Sequence, residues 1–215
     1  MIESLYIEVS QPKEPKPLSK YHYIVYSVFS FISIVATLVD LALSEWYQYC
    51  WWTFGLVFAE PNTRFDSFEN EGSIGDVKSD SCGSLKHLVN TNCPGFCSHI
   101  DGFDNGGAVM ILFGTLAMLF NAICIFFHIL KLYRSNFKLK IISPLSFLPS
   151  FLYILGFSIY FGVAKFSDLE ETNGKRFGTK DFEMKGGLLL GFTIIGLNLL
   201  LFIYCYFTTK KTFLS

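Results

Sequence analysis

Four cysteines in one stretch of the sequence could form disulfide bonds, and three of them together with a histidine could bind a metal ion. The cysteines are Cys50, Cys82, Cys93 and Cys97, and the possible metal ligands are Cys82, Cys93, Cys97 and His99. A zinc site uses thiolate and imidazole ligands and is usually recognised by a short C-x2-C clasp, which this stretch lacks. We therefore expect disulfide bonds, which form where a chain faces an oxidising compartment. Four cysteines allow three complete pairings, and the spacing alone leaves all three open.

Catalytic signatures are missing from the sequence, although polar side chains do lie inside its apolar segments. There is no nucleophile elbow, Walker A loop, H-E-x-x-H motif or carboxylate pair with a nearby base. A charge inside a membrane is costly and often functional. Asp40 is expected near a membrane boundary, where it reaches interfacial water or pairs with Lys185. Asn121 and Asn198 are expected to form hydrogen bonds between helices. We expect a protein that is neither an enzyme nor a binder of a cofactor.

The composition indicates an integral membrane protein that must position these residues on transmembrane helices. Hydrophobic residues make up 51% of the chain and charged residues only 16%, below the roughly 25% of soluble domains. The net charge of −1 gives no field that would attract nucleic acid. Apolar runs of about 20 residues predict membrane-spanning helices. The predicted spans are 21–44, 108–130, 141–163 and 187–207.

Charge patterning predicts how these helices are oriented. The linker 131–140 carries four basic residues and no acid, whereas the loop 45–107 carries nine acids and three bases. Because basic residues collect on the cytoplasmic side, the tails 1–20 and 208–215 and the linker are expected in the cytoplasm. The loops 45–107 and 164–186 are then outside. The plasma membrane is favoured, and the alternative is an internal membrane with the large loop in the lumen.

The large loop is too long for a simple connection and predicts a small outer domain. The aromatic, apolar stretch 51–58 predicts a strand, and 85–89 predicts a second short one. The stretch 64–84 is rich in Asp, Ser and Gly and is interpreted as loop. The sequence DGFDNGG at 101–107 is interpreted as a turn that leads into the second helix.

The outer loop and two helices resemble the claudin-like superfamily of claudins, peripheral myelin protein 22 relatives and channel-regulating tetraspans. Trp51 and Trp52 with Gly55-Leu56 are similar to the family's W…GLW element, although Val57 stands where the family has tryptophan. The glycine-rich stretches 106–119 and 186–192 resemble its second and fourth helices.

The resemblance implies a mainly α integral membrane fold. This is a left-handed four-helix transmembrane bundle with a small disulfide-clasped β-sheet formed by the first outer loop. It also implies a disulfide that joins two strands, because the gap of ten residues between Cys82 and Cys93 is close to the family's C-x8-10-C pair. Cys97 is additional to that pattern.

Two functions fit such a protein. The first is a structural or adhesive tetraspan that organises membrane or cell-contact structure by lateral or trans association of its outer domain. The second is an auxiliary subunit of an ion channel or receptor. The expected partners are the lipid bilayer and either a second copy or another membrane protein, a channel or a junction partner, and not nucleic acid. A transporter or membrane enzyme would need a site that the sequence does not supply.

Overall fold

The computed structural model describes residues 20–43, 45–49, 52–61, 72–83, 96–134, 145–164 and 182–214. Four predictions lie outside these residues: the N-terminal tail as far as residue 19, Cys50 with Trp51, Cys93, and the strand at 85–89. The elements are, in chain order, α1 (Lys20–Ala42), β1 (Tyr47–Tyr49), β2 (Trp52–Phe54), β3 (Phe58–Pro61), β4 (Gly72–Ser73), α2 (Ile74–Cys82), α3 (Phe96–Tyr133), α4 (Leu148–Ala164), β5 (Phe182–Met184) and α5 (Gly186–Leu214).

The long helices have the length and composition of membrane spans. Lys20–Ala42 of α1, His99–Tyr133 of α3 and Gly186–Thr208 of α5 are each long and apolar enough to cross a bilayer. The apolar part of α4 is shorter, at Leu148–Val163, and residues 141–144 of the third predicted span lie outside the described ranges. A mainly helical fold is therefore confirmed, with helices at all four predicted positions, three of them long and apolar enough to span a membrane.

The sheet that caps one end of the helices draws on both predicted outer loops. Its five antiparallel strands have the order β4-β3-β2-β1-β5. Tyr47 of β1 pairs with Phe54 of β2 on one side and with Met184 of β5 on the other. The prediction that the first loop alone forms the sheet is thus wrong, because β5 comes from the loop 164–186. We call this end of the molecule the sheet end.

The single strand predicted at 51–58 is two strands joined by a tight turn. Gly55 and Leu56 interrupt the aromatic run, and the Gly55 N–H donates to the Phe58 carbonyl oxygen at 2.8 Å. The Val57 carbonyl oxygen accepts from the Ile74 N–H at 2.9 Å. We call residues 55–58 the β2–β3 turn.

The polar stretch predicted as loop contains the helix α2, so that prediction is wrong over 74–82. A capping box starts the helix: the Asp76 N–H donates to Ser73 Oγ at 3.1 Å, and the Ser73 N–H donates to Asp76 Oδ2 at 3.3 Å. These bonds satisfy backbone N–H groups that a helix start otherwise leaves without partners. Ile74 and Val77 lie one turn apart and are both buried, which holds the helix against the sheet.

The helix α3 begins well before the predicted membrane span, and the turn predicted at 101–107 is helical. Asn105 Nδ2 donates to the Asp101 carbonyl oxygen, one turn earlier, at 2.8 Å. Phe103 is buried against the sheet. Gly106 and Gly107 serve close packing here, because a Cβ atom at Gly106 would lie 2.8 Å from the Tyr160 ring. The glycines that suggested a turn are therefore contact sites on a continuous helix.

One hydrophobic core runs from the sheet into the bundle. Trp46, directly before β1, is fully buried and meets Tyr160 edge-on, with ring centroids 5.4 Å apart. Tyr47 stacks on Phe54 with centroids 5.1 Å apart. A Cβ atom at Gly187 would lie 2.4 Å from the Trp46 indole. The sheet is consequently packed on the helices and not merely tethered to them.

Candidate functional site

The inward face of α1 is polar while its outward face is apolar. Its buried residues recur at intervals of three and four, the spacing that places side chains on one side of a helix. Their exposed neighbours are large and apolar, among them Val28, Phe31 and Leu38. We call the buried row the α1 seam, and it consists of Tyr23, Tyr26, Ser30, Ser33, Thr37 and Asp40.

Asp40 lies at the sheet end of the α1 seam and is 0% exposed. The Tyr153 hydroxyl on α4 donates a hydrogen bond to its Oδ2 atom. The Trp46 indole N–H donates to the Asp40 carbonyl oxygen at 2.8 Å. The predicted contact of Asp40 with interfacial water is therefore wrong, since its carboxyl group is enclosed by protein. Its described partner is Tyr153 and not Lys185, whose backbone N–H bonds to the Trp46 carbonyl oxygen.

A second polar group joins three helices in the middle of the bundle. Ser33 Oγ on α1 donates to Asn198 Oδ1 on α5 at 2.9 Å. Asn121 Nδ2 on α3 donates to the same oxygen at 3.2 Å. All three residues are at most 2% exposed. The predicted hydrogen bond between helices is confirmed for both asparagines, and Ser33 is the member that sequence reasoning missed.

The end of the bundle opposite the sheet holds a buried aromatic and thiol cluster. The rings of Tyr26 and His128 stack with centroids 4.0 Å apart and an interplanar angle of 10°. The Cys124 carbonyl oxygen accepts from His128 Nδ1 at 2.8 Å. Cys124 and Cys205 are buried free thiols, small apolar groups that fill space between the helices.

A disulfide bond joins α2 to the start of α3. It links Cys82 to Cys97, with Cα atoms 5.6 Å apart, so two of the four predicted disulfide cysteines are confirmed. The strand-joining pair of Cys82 with Cys93 is wrong, because Cys82 lies at the end of a helix and its sulfur is already bonded to Cys97. Two sulfurs bonded to each other cannot bind zinc, and no metal-binding group of three or more residues occurs within the described ranges.

The Gly55-Leu56 pair of the family-like motif packs the sheet against α3. Leu56 is 2% exposed, and its carbonyl oxygen would lie only 2.0 Å from a Cβ atom at Gly107. Trp52 is 4% exposed within β2. Val57 and Phe58, in contrast, are 42% and 60% exposed. The β2–β3 turn thus buries its Gly-Leu pair against a helix and presents an apolar pair outward.

The comparisons with known proteins leave this chain without an assigned family. No protein-family model matches the sequence, and no curated protein matches it significantly. Two features that the fold assembles bear on function, the enclosed Asp40 and the outward Val57–Phe58 pair.

Proposed function

We propose that this chain is a non-enzymatic, four-pass membrane protein, a divergent relative of the claudin-like superfamily. Its role is to organise membrane or cell-contact structure through association of the sheet domain. The observation that carries this proposal is the outward Val57–Phe58 pair on a domain that is fixed to the bundle. Large apolar side chains exposed together on a folded surface favour an interaction site.

Close packing of the sheet domain favours its use as a recognition surface. Leu56 rests on Gly107, Trp46 packs against Gly187, and the Cys82–Cys97 bond holds α2 on α3. A surface that is already ordered loses little conformational entropy when it binds, so more of its contact energy appears as affinity.

The position of the pair favours a partner in the same membrane over one in a facing membrane. The exposed face of α3 changes from polar to apolar at Gly106 and Gly107, since Asp104 and Asn105 precede them and Leu112, 57% exposed, follows. The Leu56 carbonyl contacts Gly107, so the neighbouring Val57 lies at the level where the helix enters lipid. A neighbour reached from this level is a lateral one.

Side-chain packing suits this association better than strand addition. Within the described residues, one edge strand of the sheet, β4, has two residues, and the other, β5, has three. Edges this short offer few free backbone groups to a neighbouring strand. We therefore place the contact at the β2–β3 turn.

The orientation that we propose puts the sheet outside the plasma membrane, with both termini in the cytoplasm and the helices in a left-handed bundle. The Cys82–Cys97 disulfide supports this, because such bonds persist on the oxidising side. Lys131 and Arg134 at the opposite end of α3 agree with the excess of basic residues on cytoplasmic sides.

Affinity purification in mild detergent, with mass spectrometry and chemical cross-linking, tests the proposal. We expect the wild type to recover tagged and untagged copies of itself or a junction-type partner. The double variant V57S/F58S should lose most of that recovery while keeping its disulfide and its monodisperse elution. Ser79→Ala, a change at an exposed position on α2 of the same domain, is the control and should behave like wild type.

Two outcomes would overturn the junction function. Undiminished recovery with V57S/F58S would remove the β2–β3 turn from the interaction. Recovery of one ion channel, lost in V57S/F58S, would instead assign the chain as an auxiliary subunit.

A further inference from the structure

We propose that Asp40, at the end of the α1 seam, is the binding site for one small monovalent cation, a proton or a sodium ion, in the bundle interior. This inference concerns a different part of the molecule from the β2–β3 turn and does not depend on the proposed function. Its basis is the enclosure of a carboxyl group whose second oxygen has no hydrogen-bond partner among the described residues.

A bare carboxylate anion at Asp40 would carry a large desolvation cost. Asp40 is 0% exposed, so its carboxyl group is enclosed by protein and separated from solvent. An ionised carboxylate transferred to such an interior without a counter-charge costs many kcal/mol. The Tyr153 hydroxyl donates to Oδ2 but brings no charge. The folded chain therefore needs one positive charge at Asp40.

The positive charge at Asp40 must come either from a basic side chain or from a bound cation. The described part of the chain contains no salt bridge to Asp40, and the exposed pair Lys78–Asp101 lies on the sheet domain. His128 belongs to the opposite end, stacked on Tyr26. Fourteen residues of helix separate Tyr26 from Asp40, roughly 20 Å at 1.5 Å per residue. None of the basic side chains among the described residues neutralises the carboxylate. The positive charge therefore comes from a bound cation.

The atoms around Asp40 determine which kind of cation can bind there. The atoms available along the α1 seam are hard oxygen donors, which suit protons and alkali or alkaline-earth ions better than soft metals. Ser150 adds a further hydroxyl on the α4 face that carries Tyr153, one turn away. It is 0% exposed, with its Oγ atom likewise unbonded within the described residues. A single carboxylate balances a single charge, because a divalent ion would leave an uncompensated positive charge in the same interior.

The experiment uses the full chain in lipid nanodiscs and compares wild type with Asp40→Asn. Asparagine keeps the shape but cannot be ionised. Asp104→Asn, an exposed change on α3, is the matched control. Thermal unfolding is measured in sodium chloride and in choline chloride at equal ionic strength, each at pH 5 and pH 8, and infrared spectra record the C=O stretch of any protonated carboxyl group.

Each source of charge predicts its own result. If sodium binds, it should shift the wild-type unfolding equilibrium at constant pH, by about a hundredfold at one hundred times its Kd. If a proton binds, the stretch of a protonated carboxyl group should be present in wild type and missing from Asp40→Asn. In both cases Asp104→Asn should respond like wild type and Asp40→Asn should not respond.

Two results would overturn the proposal. One is an equal response of wild type and Asp40→Asn to both sodium and pH. The other is an infrared spectrum of wild type that lacks a protonated carboxyl band while unfolding is unaffected by sodium. The second result needs only wild-type protein, so the proposal stays testable even if Asp40→Asn fails to fold.

Discussion

Replacing Gly107 by alanine would disturb the contact that seats the sheet on the bundle. A Cβ atom at this position would lie 2.0 Å from the Leu56 carbonyl oxygen and 3.0 Å from its carbonyl carbon. Both are backbone atoms, so a change of side-chain rotamer cannot relieve the clash and the β2–β3 turn must move. Overpacking usually costs about 1–3 kcal/mol. We expect the upper half of that range, because backbone hydrogen bonds at Gly55 and Val57 also hold the turn.

Gly196→Ala is the matched control, since it lies on α5 with nothing within 4 Å of a new Cβ atom. Alanine has the higher helix propensity, so this variant should be unchanged or more stable by up to about 1 kcal/mol. The free energy of unfolding can be followed by the fluorescence of the buried Trp46 and Trp52 during reversible denaturation in mixed micelles. Wild-type unfolding of Gly107→Ala, or an equal loss of stability in both variants, would contradict the predicted backbone clash at Leu56.

Two further predictions concern covalent and polar links between elements. Replacing both Cys82 and Cys97 by serine should lower the free energy of unfolding by about 3 kcal/mol, the chain-entropy value for a loop of about 15 residues, as measured by denaturation with and without reductant. Asn198→Ala should cost about 1 kcal/mol, typical of hydrogen bonds between membrane helices. Ser33→Ala should then cost less in the Asn198→Ala background than in wild type, because Ser33 Oγ has lost its bond to Asn198 Oδ1 and keeps only the longer one from Asn121 Nδ2, at 3.4 Å. Equal costs of Ser33→Ala in both backgrounds would contradict the shared contact.

The sequence predicts the helices well because their signal is local. Each apolar run is long enough to stand out in the composition, and the four predicted spans overlap α1, α3, α4 and α5. The hydrogen bond between Asn121 and Asn198 was also predictable, since a polar side chain within an apolar helix has few other partners than a neighbouring helix.

What the sequence did not predict depends on contacts between distant segments. Glycines at 106 and 107 fit a turn as well as a close contact, and only the position of Leu56 decides between them. The short strand β5 has no flanking pattern of its own and exists because β1 offers it a paired edge. Similarly, the sequence allows Cys82 to pair with Cys93 or with Cys97. Only the position of α2 in the fold selects Cys97. The hydrogen bond from Tyr153 to Asp40 could not be predicted, because the sequence does not distinguish a tyrosine that donates a hydrogen bond from one that only packs in an apolar helix.

The pairing of β1 with β5 has a consequence for the order in which the molecule is assembled. β1 follows α1 closely, while β5 is separated from α5 by one residue. The earliest strand of the sheet therefore keeps an open edge during synthesis until the chain has passed the loop before the last helix. A truncated or mis-inserted chain would retain that open edge. Cellular quality control could recognise the unpaired backbone groups of β1 and so detect incomplete insertion.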